Sequence, residues 1–150
     1  MKKFVTLVAI LGLSSVLAAC SSSNQNKAET IEGSYVLISA NDQTLPQSIP
    51  PVIDLSVSDD LTEVQIKGKM CNLFNGNANY QNGVLQGNFM MTRALCNEPE
   101  LNALDMQVSQ MFAKGVKVQK SDDKLILTSG TDTLVYQQKA LPMTQKDNTK

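Results

Sequence analysis

Three cysteines and a scatter of carboxylates are the residues here whose types most readily do chemistry, and the 150 residues include no histidine. Histidine is the commonest general acid–base near neutral pH and the commonest metal ligand. Cys71 and Cys96 do not form a C-x-x-C pair, so disulfide-exchange chemistry has no motif here. Zinc would need more cysteines or a histidine. No G-x-S-x-G occurs, and a serine nucleophile would lack an imidazole base. Asp59-Asp60 and Asp122-Asp123 sit among turn residues, where solvated charge is the plain reading. The expectation is a protein that is not an enzyme, with no metal and no cofactor. Cys20 differs from the other two cysteines. Its thiol follows the small residues Ala18-Ala19 at the end of an apolar stretch.

That stretch runs from Phe4 to Leu17 behind Lys2-Lys3. A basic start, a short apolar run and small residues before a cut point mark a secretory signal. The run is shorter than the roughly 20 residues a membrane-spanning helix needs. Leu17-Ala18-Ala19-Cys20 resembles the lipobox of bacterial lipoproteins, in which the thiol is diacylated and the chain is cut before it. The resemblance implies a signal peptide over residues 1–19, lipidation of Cys20 and anchoring to the membrane by several acyl chains. Ser21 follows the cysteine where an inner-membrane retention signal would place Asp. The expected location is therefore the outer membrane of a Gram-negative bacterium, with the domain facing the periplasm.

Export places Cys71 and Cys96 in an oxidising compartment, where two cysteines have one pairing. A bond across that loop of about 25 residues would contribute roughly 3 kcal/mol. The alternative is two buried thiols too far apart to bridge. Residues 20–30 (CSSSNQNKAET) read as the lipidated cysteine and a polar, flexible tether. Residues 31–139 are left for one domain, and 140–150 form a polar tail expected to be disordered. The net charge is −1 and no basic patch is interleaved with aromatics, so nucleic acid is not an expected partner. A monomer is expected.

The elements that position these residues follow from a period of mostly two. Strands are predicted over Ser34–Ala40, Val52–Ser58, Glu63–Gly68, Asn77–Gln81, Val84–Met90, Val116–Lys120, Lys124–Thr128 and Thr133–Gln138. Asn41–Pro51, with three prolines, reads as a loop. Asn82-Gly83 is the favoured two-residue hairpin turn, since both positions need positive φ. The spacing changes between Glu98 and Lys114, where Leu101, Leu104, Val108, Met111 and Phe112 recur at helical intervals. Asn97 is the expected N-cap, Glu100 its capping-box partner and Gly115 the stop. The predicted fold is mainly β. It is a small antiparallel, lipocalin-like β-barrel of about eight strands, with one α-helix over residues 97–114 between the fifth and sixth strands. Such a barrel can be filled by side chains or hold one small ligand. Met70, Met90, Met91, Met106 and Met111 could line an adaptable pocket.

Two segments carry a family resemblance. Met70-Cys71-Asn72-Leu73-Phe74-Asn75-Gly76 is similar to the first motif of META domains. Met91-Thr92-Arg93-Ala94-Leu95-Cys96 is similar to the second, and Asn97–Asn102 opens the helix that follows it there. Met70 and Ala78 depart from the family pattern. The resemblance covers about Ile31 to Gln138. It implies a small β-barrel with one helix, no established catalytic activity, and links to heat-shock induction and novobiocin resistance. The motif residues Asn72, Phe74, Gly76, Thr92 and Arg93 are then structural or binding residues. Gly76 is expected to supply a positive φ and Asn72 to bond local backbone in a turn. Arg93 is expected to pair with a carboxylate beneath the helix or to bind an anion. The functional expectation is a non-enzymatic envelope module that binds or stabilises another envelope component under stress. The alternative is a carrier of a small apolar ligand.

Overall fold

Alternation of buried and exposed residues along the chain resolves into one closed sheet in the computed structural model, which describes residues 31–45 and 50–140. The signal, Cys20, the tether and residues 141–150 lie outside the described residues. The strands are β1 (Gly33–Ala40), β2 (Gln43–Thr44), β3 (Val52–Val57), β4 (Glu63–Lys69), β5 (Leu73–Gln81) and β6 (Val84–Met91). After the helix α1 (Pro99–Lys114) come β7 (Val116–Ser121), β8 (Lys124–Ser129) and β9 (Asp132–Gln138). Each pairs antiparallel with its neighbour in the order β2-β1-β3-β4-β5-β6-β7-β8-β9, and β1 also pairs with β9. That last pairing closes eight strands into a barrel, with β2 folded back on the end of β1.

The helix therefore follows the sixth strand in chain order, not the fifth. The extra strand is β2, inside the segment read as loop. Asn41 and Asp42 both adopt positive φ, 49° and 63°, which these residue types tolerate, and the turn they make lets Ala40 face Gln43. β5 also begins earlier than predicted, at Leu73. Phe74, Ala78 and Tyr80 are buried at alternate positions. Asn75, Asn77 and Asn79 between them are weak strand formers, which hid the element. The Asn82-Gly83 turn has positive φ at both residues, 52° and 78°, as expected.

Core side chains from every side of the barrel meet in one cluster that includes Tyr35, Leu37, Ile53, Ile66, Phe74 and Tyr136. The inward faces of β4 and α1 supply Val64, Ile66, Val108 and Phe112 as the spacing predicts. Phe112 stacks on Phe89 with ring centroids 4.7 Å apart, and Phe89 on Phe74 at 5.2 Å. This aromatic run ties the helix to the barrel where the sheet is weakest. β6 and β7 pair only through Val84–Lys117 and Leu85–Val116, and α1 packs along β6 beyond them.

Three tyrosines lie in or against this core. The Tyr35 hydroxyl donates to the Ile31 carbonyl at 2.8 Å, and burial pushes its pKa up to about 12. Burial also raises Tyr136 well above its ordinary value, and its hydroxyl has no hydrogen-bond partner among the described residues. Both groups favour the neutral form in the folded state. Their contribution is intact below pH 10, where the unfolded chain is also neutral. It is lost as pH rises from 10 through 12, because the unfolded tyrosines ionise first. The urea midpoint is expected to hold steady between pH 8 and 9.5 and to fall by pH 11. Tyr136→Phe is expected to blunt that fall.

Candidate functional site

The two motif segments meet at one end of the barrel. The β4–β5 turn carries Met70, Cys71 and Asn72, and the segment after β6 carries Thr92 to Cys96. Cys71 and Cys96 are joined by a disulfide, with Cα atoms 5.8 Å apart. Asn72 is buried beside them. Its Oδ1 accepts from the Ala94 N–H at 2.7 Å and the Thr92 hydroxyl at 2.9 Å. Its Nδ2 donates to the Ala94 carbonyl at 3.0 Å and to Asp105 Oδ2 at 2.7 Å. The Asn72 backbone N–H also points at both Asp105 oxygens, at 3.2 Å each. Asn72 thus ties three separate segments together, whereas the expectation was a local turn bond. A single amide can do this because it offers donors and acceptors in one plane.

Gly76 departs from expectation as well. It is extended within β5 and has no positive φ. Its role is close approach. A Cβ there would lie 2.5 Å from the Asn88 carbonyl oxygen and 2.8 Å from the Phe89 ring, so glycine makes room for Phe89 directly across the ladder. Phe74 is buried against that same ring. Arg93 is exposed. The carboxylate beneath the helix, Asp105, is held by Asn72 and not by Arg93.

Capping also differs from the sequence reading. Glu98 is the N-cap and makes no side-chain cap bond. Asn97 is displaced because Pro99 takes the first helical position, where its missing N–H is harmless. Asn102, inside the first turn, ties the segment before the helix onto it. Its Nδ2 donates to the Cys96 and Glu98 carbonyls, and its Oδ1 accepts from the Cys96 N–H. Gly115 ends the helix as expected, with φ 105° and its N–H on the Met111 carbonyl. Asp105 and Asn102 are the site residues that motif reasoning missed. A signal for Asp105 was present: it falls four residues after Leu101 and three before Val108, on the apolar stripe. A carboxylate in that position needs a dedicated partner.

Above this polar knot lies a cleft of about 520 Å³. β6 supplies Phe89 and Met91 as one wall, the following segment Arg93 and Leu95, and α1 Met106 and Ser109. Leu95 is 95 % exposed and Met106 64 %. Among the lining residues the charged groups are Arg93 and Asp105, and Asp105 is buried behind Asn72. Asp105 lies one helical turn before Ser109 in the lining, and its carboxylate is taken up by the Asn72 side chain and backbone N–H. The arrangement suits binding. Among the described residues, no three His, Cys, Asp or Glu side chains converge as metal ligands. The Asp59-Asp60 pair sits in a tight turn, where the Ser58 hydroxyl and the Thr62 N–H bond Asp60. These bonds hold its carboxyl below the usual pKa, Ser58 foremost.

The sequence model of the META domain matches residues 28–141. The chain belongs to the META domain family. It is 34 % identical over 142 residues to heat shock protein HslJ of Escherichia coli strain K12, covering 91 % of this chain and 95 % of that protein. A protein solved by NMR, 32 % identical, shares the fold with a TM-score of 0.64 over 74 % of this chain and 93 % of its own. A second NMR structure, of a protein from Burkholderia xenovorans, has a TM-score of 0.57 over 89 % of this chain and 100 % of its own. At 21 % identity it speaks for the fold alone. In this META domain the two motifs are thus one physical unit, a disulfide and an asparagine clamp that fix the start of the helix.

The disulfide closes a 25-residue loop. The double variant Cys71→Ser/Cys96→Ser is expected to lose about 3 kcal/mol of stability, the chain-entropy value for such a loop. Thermal unfolding with and without reductant checks this, with the double variant insensitive to reductant.

Proposed function

We propose that this META domain is a non-enzymatic, lipid-anchored envelope module that binds or stabilises another envelope component during heat or envelope stress. The observation that carries the reading is the contrast between inside and outside. Aromatic and aliphatic side chains fill the barrel, while the cleft beside α1 leaves Leu95 and Met106 to solvent. Exposed apolar groups at a cleft edge mark a contact surface. Similarity to a protein named for heat shock supports the stress setting. The Cys20 motif supports an acylated N-terminus at the outer membrane, with a monomeric domain facing the periplasm. Resistance to novobiocin, which the family resemblance implies, would follow from support of the outer-membrane barrier without the drug being bound.

The methionines give the carrier alternative only partial support. Met70 and Met111 are core residues and Met90 is exposed, while Met91 and Met106 both line the cleft beside α1.

Metabolic labelling with a palmitate analogue tests the anchor. Label is expected on the wild type in the outer-membrane fraction, and none on Cys20→Ser. An unlabelled wild-type chain, soluble after cell lysis, would overturn the anchored reading. Native mass spectrometry of the unlipidated mature chain is expected to give a bare monomer. A co-purified apolar molecule would favour the carrier.

A further inference from the structure

The binding-module reading leaves the partner's chemistry open, and the seam between β6 and β7 narrows it. β5 and β6 pair from Gln81–Val84 to Phe74–Met91. β7 accompanies β6 only at Val84 and Leu85. Beyond that point one side of β6 has no strand beside it among the described residues. The Thr92 N–H bonds the Leu73 carbonyl of β5. By strand alternation, Asn88 and Met90 also turn their backbone groups to β5. Gly87, Phe89 and Met91 therefore present N–H and C=O groups to the other side. Along the cleft that side faces α1 across open space, with Phe89 and Met91 on one wall and Met106 and Ser109 on the other. Gly87 lies outside that lining, where α1 closes on β6 with Phe112 against Phe89 and the Gln86 side chain on the Ala113 carbonyl, so the open edge is the stretch from Phe89 to Met91.

We propose that this cleft takes an extended segment of another polypeptide, added as a strand beside β6, with a carboxylate of that segment on Arg93. Three features select this occupant. A row of unpaired backbone donors and acceptors is matched by extended peptide backbone, the basis of β-strand addition. Arg93 is the exposed charge in the lining, so a carboxylate complements it and a cationic segment does not. Leu95 and Met106 flank the cleft and offer apolar contact to alternate side chains of the added strand. The disulfide, the Asn72 clamp and the Asn102 bonds to Cys96 and Glu98 fix both walls in advance, which reduces the ordering cost of binding.

The test uses the unlipidated mature chain and a displayed library of random seven-residue peptides. Recovered peptides are synthesised and added while backbone amide exchange is followed by NMR. In the free protein the Phe89 and Met91 amides are expected to exchange readily, and bound peptide is expected to protect both. N-methylation of alternate peptide residues is expected to abolish binding in one phase and spare it in the other. Ser109→Phe, which fills the cleft from the helix, is expected to remove binding while unfolding and the spectrum of the rest of the domain stay unchanged. Arg93→Gln is expected to weaken acidic peptides about tenfold, equivalent to about 1.4 kcal/mol, and neutral ones little. Amides already protected in the free monomer would overturn the proposal, as would protection that appears only on self-association. So would a library whose binders leave these amides exchanging. If envelope crosslinks form elsewhere on the domain while these amides stay unprotected, the binding-module reading stands and strand addition falls. If both are absent, both fall.

Discussion

Asn72→Ala is expected to destabilise the domain by about 4 kcal/mol, from the joint loss of one hydrogen bond to a carboxylate and three to neutral groups. Asn72 Nδ2 is a side-chain donor to Asp105, which is buried beneath the helix. Hydrogen bonds to a charged group are worth about 1.5–3 kcal/mol each. The same substitution unbinds the Ala94 N–H and carbonyl and the Thr92 hydroxyl. The Asn72 backbone N–H keeps its contact with the carboxylate, which limits the loss. Chemical denaturation checks the value, with Asn75→Ala as control. Asn75 lies on the exposed face of β5, the strand that follows the turn, and is expected to change stability by less than about 0.5 kcal/mol. Asn72→Asp is expected to be no milder, because it puts a second carboxylate against Asp105 and removes the donor.

Phe112→Ala is expected to cost about 4 kcal/mol, within the range for emptying a buried aromatic site. Phe112 is fully buried and stacks on Phe89, which stacks on Phe74. The loss should exceed simple area because the ring sits where β6 and β7 part and the sheet has few ladder bonds to share the load. Part of the effect should be local. Amide exchange in α1 is expected to accelerate more than exchange in β3 and β4. Met106→Ala on the exposed face of the same helix is expected to be nearly neutral to stability. A uniform loss of protection across the barrel would contradict the view of α1 as the element covering the seam.

Much of the fold was legible from alternation and from turn chemistry. The Asn82-Gly83 hairpin, the helix stripe and the Gly115 stop need only local reasoning, and each fell where the spacing put it. The misreadings share a cause, which is long-range use of residues that look local. Asn72 resembles a turn former, yet its partners Ala94 and Asp105 lie 22 and 33 residues away. Gly76 resembles a turn glycine, yet it serves the ring of Phe89 on the next strand. Asn97 resembles a cap, yet the disulfide and Pro99 fix the entry to the helix and Asn102 satisfies the carbonyls instead. The cleft had almost no signature in sequence. It exists because β7 leaves β6 after two residues, and strand pairing length is a tertiary outcome. Its exposed residues, Leu95 and Met106, look ordinary in the chain until the fold sets them on either side of one opening.

Site-specific photo-crosslinking in heat-stressed cells tests the central claim most directly. A photoreactive residue at Leu95 or Met106 is compared with one at Lys117, an exposed position on β7 outside the cleft lining. The account predicts discrete adducts with an envelope component from 95 and 106, stronger under stress, and none from 117. Adducts of equal yield from all three positions, or none from any, would contradict it.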